Sequence, residues 1–308
     1  MLEALATEPY VANRVYFAWQ IGFLSHNGWH RTPIDPMSAT QKPIPPALQL
    51  FDLTGRTALI TGSSGGIGLA LASGLLSAGA RVILNGRQTA KLDQACEALR
   101  TQTKAWGQDP ARQVHAHAFD VTEQTQVEAA IEHIEGHIGA VDILINNAGM
   151  TFRAPLDQFP VEQWHQIMRT NLDSAFLVSR AVARRMIERK AGKVINICSV
   201  QSELGRPGIA PYAASKGAMK MLTKGMAIDW GKHGIQVNGL GPGYFKTELT
   251  QALVNDPAFS AWLVNRTPSG RWGDVTDLIG AAIFLSSAAS NFVNGHVLYV
   301  DGGVTATL

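Results

Sequence analysis

Tyr212 and Lys216, in YAASK, stand four residues apart, and Ser199 lies thirteen residues before the tyrosine. Ser199 closes the apolar, β-rich run VINICS, and a polar loop, QSELGR, fills the space between. A residue and its fourth successor share a helix face. A tyrosine and a lysine so placed suit proton transfer at a carbonyl, because hydride arriving at carbon leaves an alkoxide that needs a proton donor. A free tyrosine hydroxyl titrates near pH ~10. A lysine ammonium ~5 Å away, at an effective dielectric constant of ~20, favours the phenolate by about 3 kcal/mol, or roughly 2.4 pK units. Lys216 is therefore expected to bring Tyr212 toward the working pH. Ser199 can hold the carbonyl oxygen beside it. The competing structural roles are a capped strand end for Ser199 and a plain amphipathic helix for the other two.

Such a set must be presented by a scaffold. Seven β-rich runs recur from Phe51 onward, at 57–62, 81–86, 114–121, 141–149, 193–199, 235–243 and 296–303. Several are continuously apolar, as expected of strands covered by helices on both faces. The intervening segments carry helical periodicity, for instance 69–78 and 122–138. Alternating strands and helices imply an α/β fold, a doubly wound sheet of seven mainly parallel strands. Ser199 then lies at a strand's carboxyl end, where open α/β sheets bind ligands.

The first strand runs into TGSSGGIG, with Gly62, Gly66 and Gly68 spaced through the turn. Glycines there let the backbone approach a pyrophosphate, and the following helix supplies N–H groups and its positive dipole end. The second strand ends ILNGRQ, with no acid at Asn85, Gly86 or Arg87 to hold a ribose 2′-hydroxyl. Arg87 can face a 2′-phosphate, a charge-assisted contact worth roughly 1.5–3 kcal/mol. NADP(H) is thus preferred, with NAD(H) possible, although Arg87 could equally be a solvated loop residue. Asp120 either accepts from an adenine amino group or caps a helix beginning at Thr122. Asn147 and Gly149 close the fourth strand on the ligand side.

With these motifs in order, the chain resembles the short-chain dehydrogenase/reductase family. The resemblance covers 51–308 and rests on TGSSGGIG, NNAG at 146–149, TNL at 170–172, the Ser–Tyr spacing, YAASK, and PGYFKT at 242–247. It implies a Rossmann-like subunit and a catalytic tetrad of Asn171, Ser199, Tyr212 and Lys216, in which the asparagine steadies the lysine through a water. It also implies that Ser64 and Ile67 of the glycine turn, Lys216, Pro242, Gly243 and Thr247 contact the dinucleotide. Small residues around Phe176 and Lys220 imply subunit packing, as a homodimer or homotetramer. The same residues could instead pack on the chain's own sheet.

The QSELGR loop is polar where that family is often small and apolar. Donors and acceptors there suit a keto or hydroxy sugar acid. Arg206 or Arg153 could bind its carboxylate, and Gln201 and Glu203 its hydroxyls, with Ser199 and Tyr212 at the reacting oxygen. Several long stretches resemble the family's sugar-acid members more than the family at large, implying reversible hydride transfer at C5 of a six-carbon aldonic acid. In those members a Gln-Arg-Arg run often ends where Arg153 stands. Here Thr151 and Phe152 replace its first two residues, removing a charge from the substrate mouth. The rivals are a 3-oxoacyl carrier protein reductase, another sugar-acid dehydrogenase, or a non-catalytic NADP(H)-binding module. The last is disfavoured because Tyr212 and Lys216 are both present.

The bulk properties agree. A net charge of +2 with 16% charged residues gives no electrostatic reason to expect nucleic acid or an anionic membrane as partner. No apolar run reaches the ~20 residues of a membrane span, and no metal-ligand spacing stands out. Two cysteines, Cys96 and Cys198, form no disulfide framework, and a cytoplasmic setting is expected. Residues 1–50 lack periodicity, end in KPIPPALQL, and are expected to be an extension preceding a single catalytic domain, 51–308. Their acids Glu3 and Glu8 argue against a secretory or transit leader. A chain starting at Met37 would keep the whole regular region, so residues 1–36 are expected to be absent from the native protein.

Overall fold

The computed structural model describes residues 46–307. The expectations for 1–45, including the Met37 start, lie outside the described residues. The seven strands are β1 (Thr57–Ile60), β2 (Arg81–Gly86), β3 (Val114–Ala118), β4 (Ile143–Asn146), β5 (Gly192–Ile197), β6 (Ile235–Pro242) and β7 (Val297–Val300). They form one sheet in the order β3-β2-β1-β4-β5-β6-β7, and every pair is parallel. The helices are α1 (Pro46–Gln49), α2 (Gly66–Ser77), α3 (Thr89–Ala105), α4 (Pro110–Gln113), α5 (Gln124–His137), α6 (Val161–Met168), α7 (Ser174–Arg189), α8 (Ala210–Trp230), α9 (Gln251–Val254), α10 (Pro257–Arg266) and α11 (Ile279–Ser286).

The central strands are buried on both faces, and the pleat sends successive side chains to opposite cores. Ala58 and Ile60 of β1, Ile143 and Ile145 of β4, and Ile195 and Ile197 of β5 join Leu71, Leu75 and Leu285 of α2 and α11. The alternate residues Leu59, Leu144 and Val194 pack against Ile131 and Ile134 of α5, Val178 and Val182 of α7 and Met226 of α8. Each such side chain contributes roughly 1.5–3 kcal/mol of burial free energy. Two full layers of these contacts hold the carboxyl ends of the strands rigidly in line. The strand order reverses between β1 and β4, which opens a crevice at those ends.

The sequence pattern overstates several strand ends. β3 stops at Ala118 rather than 121, and β4 starts at Ile143 rather than 141. The residues beyond the ladder turn into the loops that build the site.

Candidate active site

The glycine turn between β1 and α2 is shaped by steric need. Gly62 and Gly66 have φ of +61° and +54°, the left-handed region that side chains rarely adopt. A Cβ on Gly62 would also lie 2.8 Å from the Ala148 Cα. A Cβ on Gly68 would lie 2.5 Å from Asn147 Nδ2, so Gly68 serves close packing of α2 rather than ligand approach. Asn147 Nδ2 donates to the carbonyls of Thr61 and Gly62 at 2.9 and 2.8 Å. That side chain braces the turn, and the Thr61 hydroxyl accepts from the Asn147 and Ala148 amides.

A cleft of about 640 Å³ opens above this turn. At one end it is lined by Gly62, Ser64, Gly66 and Ile67, and by Arg87 and Asp120 from the ends of β2 and β3. At the other end lie Ser199, Tyr212 and Lys216. Asn147 and Gly149 form the floor, and Pro242, Gly243 and Thr247 the far wall. A Cβ on Gly243 would lie 2.8 Å from the Asp301 Cα, so the wall needs glycine to close against the end of β7. The cleft is long enough in composition, from glycine turn to tyrosine, to suit an extended dinucleotide. Lys91, in the first turn of α3, also lines it beside Arg87. Sequence reading missed this second basic residue, although its spacing from Arg87 was the available signal.

Asp120 does not cap a helix. α5 begins at Gln124, and the Asp120 carboxylate instead accepts from the Thr122 amide and hydroxyl at 2.9 and 2.8 Å. Its other oxygen lies 3.7 Å from the Arg87 guanidinium. Burial opposes its charge, but the Thr122 bonds and Arg87 outweigh that and hold the carboxyl below its ordinary value.

The reacting end is built by β5 and α8. β5 stops at Ile197 rather than 199, and Ser199, two residues beyond it, caps a 3₁₀ turn, its hydroxyl accepting from the Gln201 amide at 3.1 Å. Lys216 is buried and donates from Nζ to the Ile197 carbonyl at 2.6 Å. Nζ lies 5.8 Å from the centroid of the Tyr212 ring. The expected depression of the Tyr212 pKa is not what the structure gives. Burial pushes the Tyr212 hydroxyl up, and a hydrogen bond with the Ser199 side chain opposes this only in part. Burial also lowers Lys216 to about 8, with the Cys198 thiol acting weakly against that shift. Both groups lose solvation together, and the desolvation cost of the phenolate outweighs the Ser199 hydrogen bond. Cys198, beside Lys216, is itself pushed up to about 11 by burial and stays a neutral thiol.

Asn171 sits in a π-helical turn, Arg169–Asp173, inserted between α6 and α7. Such turns are often found at functional sites. Its side chain is fully engaged. Oδ1 accepts from the Met150 amide at 2.7 Å, and Nδ2 donates to the Met150 carbonyl and the Ser215 hydroxyl at 2.9 and 3.0 Å. The Gly149 backbone lies between Asn171 and Lys216, since a Cβ there would lie 3.5 Å from Asn171 Oδ1 and 3.8 Å from Lys216 Nζ, ordinary contact distances.

The residues expected to take substrate divide. Arg153 and Arg206 are near enough that the charge of Arg206, after burial, lowers the Arg153 pKa. Gln201 is buried, and its Nε2 donates to the Tyr244 hydroxyl at 3.3 Å. Glu203 is not with them. Its carboxylate is held by Lys220 Nζ and accepts from the Tyr299 hydroxyl at 2.7 Å, on an exposed edge. Phe152 packs edge-on against Phe159, at 5.5 Å between ring centroids.

Comparison with known proteins gives the same picture. The family model for short chain dehydrogenase matches residues 56–258. Gluconate 5-dehydrogenase of Gluconobacter oxydans (strain 621H) is 55% identical over 264 residues, covering 84% of this chain and 98% of the relative. The 5-keto-D-gluconate 5-reductase of Escherichia coli (strain K12) is 55% identical over 255 residues, covering 83% and 97%. The crystal structure of a gluconate 5-dehydrogenase from Burkholderia cenocepacia J2315, in complex with NADP and tartrate, superposes with a TM-score of 0.80 at 58% identity, covering 85% of this chain and 100% of that one. A glycine turn, a serine, a tyrosine and a lysine meet in one cleft of a seven-stranded parallel sheet, and the family model spans that same region. The chain belongs to the short-chain dehydrogenase family.

Proposed function

We propose that the protein interconverts 5-keto-D-gluconate and D-gluconate with NADP(H). The observation that carries this reading is the junction of two sites. Tyr212, Ser199 and Lys216 face the long cleft, and the Gln201 side chain, two residues from Ser199, donates to Tyr244, whose ring faces the Arg206 guanidinium, with Arg153 close enough to Arg206 to feel its charge. Neither arginine has a carboxylate partner among the described residues. Two guanidiniums without a carboxylate partner suit a ketone that carries a carboxylate. The similarity to the two gluconate enzymes supports the same substrate.

The cleft fits a dinucleotide, since positive-φ glycines remove the side chains that would block a pyrophosphate and α2 begins without a side-chain cap. Arg87 and Lys91 supply positive charge for a 2′-phosphate, and Asp120 is ionised to accept from adenine. When bound, the nicotinamide gives or takes the hydride. Tyr212, protonated at neutral pH, gives its proton to the substrate oxygen during reduction. Ser199 holds that oxygen by a hydrogen bond. Lys216, still mostly protonated at pH 7, offsets negative charge on Tyr212 once the proton has left, and Asn171 fixes the loop at Met150 against α8. In oxidation the same groups work in reverse, with Tyr212 taking the proton.

We also read the enzyme as a cytoplasmic homo-oligomer. Both cysteines are free and buried. No helix among the described residues is long and apolar enough to cross a membrane. Phe176 of α7, and Met221 and Ile228 of α8, are exposed apolar groups that a second copy would cover.

Loss of NADPH absorbance with 5-keto-D-gluconate, run beside NADH and an acetoacetyl thioester, tests the reading. Fast turnover of the keto acid with NADPH is expected. Turnover of the thioester alone would assign the protein to the carrier-protein reductases instead.

A further inference from the structure

A chain of contacts leads from the reacting end to the arginine pair through a residue that motif reading does not single out. Ser199 Oγ accepts from the Gln201 amide at 3.1 Å. The Gln201 side chain is 8% exposed, and its Nε2 donates to the Tyr244 hydroxyl at 3.3 Å. The Arg206 guanidinium lies 6.0 Å from the centroid of the Tyr244 ring and 5.0 Å from that of Phe259. Tyr244 is itself wedged edge-on against Trp262 and Trp272, at 88° and 89°. Two buried polar atoms along this chain have no hydrogen-bond partner, Gln201 Oε1 and Arg206 Nη1. One is an acceptor and the other a donor.

Buried polar atoms are nearly always paired, so an orphaned acceptor and an orphaned donor on linked residues point to a ligand that supplies both. A hydroxyl would donate to Oε1, and a carboxylate would accept from Nη1. Tyr244 decides whether the two are presented together. Its hydroxyl anchors the amide nitrogen and so leaves Oε1 as the free end. Its ring, with Phe259, holds the guanidinium by cation–π attraction in place of the usual carboxylate.

We propose that Tyr244 is a positioning residue that couples Gln201 to Arg206, so that the hydroxyls and the carboxylate of a polyhydroxy acid are recognised as one unit at a fixed distance from Tyr212. This rests on the reading of the arginine pair as the carboxylate site and adds to it the residue that sets specificity for hydroxylated over plain acids.

The test separates the two halves of Tyr244. The NADP⁺-loaded protein is titrated with L-tartrate and with succinate, which differ by two hydroxyls, and binding is read by calorimetry. Tyr244→Phe keeps the ring and removes the hydroxyl. It is expected to weaken tartrate about tenfold, the loss of about one neutral hydrogen bond, and to leave succinate within about twofold. Tyr244→Leu removes both and is expected to weaken both acids. Phe259→Leu removes the nearer ring without touching Gln201, and is expected to weaken both acids in parallel by about three- to thirtyfold. NADP⁺ affinity, measured in each variant, reports that the fold is intact, and Phe259→Leu carries the ring arm if Tyr244→Leu does not fold. Equal losses of tartrate and succinate in Tyr244→Phe would overturn the coupling, as would no loss of either. Wild-type protein that binds neither acid would overturn the carboxylate site and the proposal with it. Turnover of 5-keto-D-gluconate is measured separately, so failure of that substrate alone does not bear on Tyr244.

Discussion

Lys216 Nζ donates to the Ile197 carbonyl at 2.6 Å and stands 5.8 Å from the centre of the Tyr212 ring. The ammonium is thus tied to the end of β5, one turn of α8 from the Tyr212 phenol. Both groups are buried, and burial moves both toward their neutral forms, with Tyr212 pushed up and Lys216 lowered to about 8.

This pairing predicts a directional pH response. The Tyr212 phenol keeps its proton through neutrality, so ketone reduction is expected to proceed at pH 7 without loss. Alcohol oxidation needs the phenolate and is expected to rise above pH 7, less steeply once Lys216 loses its proton above about pH 8. Rate profiles in both directions check this, and an oxidation rate already level at pH 6 would contradict it.

Replacing Tyr212 with phenylalanine is expected to abolish turnover and leave NADPH affinity within about threefold, because a proton donor of this kind contributes roughly 10²–10⁴-fold to rate. Steady-state kinetics and fluorescence titration of NADPH separate the two. Unchanged turnover would remove Tyr212 from the proton-transfer role.

Lys216→Met is expected to lose activity and gain stability. In the unfolded chain the lysine has its ordinary pKa of 10.5, against about 8 in the fold. Below pH 8 both states hold the proton, and the cost of burying the charge is present in full. Between pH 8 and 10.5 the unfolded chain binds more protons, so wild-type stability from this group rises with pH. The variant should therefore exceed wild type at pH 7 by an amount on the order of 1–3 kcal/mol, and the gain should shrink toward pH 10.5. Urea melts at pH 7 and pH 10 measure it.

Arg87→Ala is expected to weaken NADPH by about 10- to 150-fold, the range of one charge-assisted contact, and NADH much less. Lys91→Ala should act in the same direction and by less, since a lysine makes a single-point contact to phosphate where an arginine can make two. An equal effect of Arg87→Ala on both cofactors would place it away from the 2′-phosphate.

Glu203→Gln is expected to leave the Michaelis constant for the keto acid within about twofold, the range of ordinary surface substitutions. Its carboxylate is spent on Lys220 and Tyr299 rather than on the cleft. A large rise in that constant would return Glu203 to the substrate.

Much of this was legible in advance. The central strands read as apolar runs because they are covered on both faces, and the positive-φ positions Gly62 and Gly66 stand in the sequence as glycines because little else fits. Ser199, Tyr212 and Lys216 were visible because strand and helix geometry turns their spacing into proximity. The pKa balance was not, because Coulomb attraction can be estimated from spacing while desolvation depends on what packs around the pair. Glu203 looked like a substrate ligand until Tyr299, nearly a hundred residues on, proved to occupy it. For Asp120 the cap was one of two readings, and it falls because α5 begins at Gln124.

Local order in the chain therefore determined the α/β alternation, the glycine turn, and the loops that follow the strands on the ligand side, since these depend on neighbours within one element. The tertiary structure decided which of those groups are charged, which are already paired, and which remain free. It brought Phe259 and Tyr244 beneath Arg206 and left Gln201 Oε1 without a partner. Desolvation and pairing between distant segments are properties of the packed interior, and no spacing along the chain encodes them.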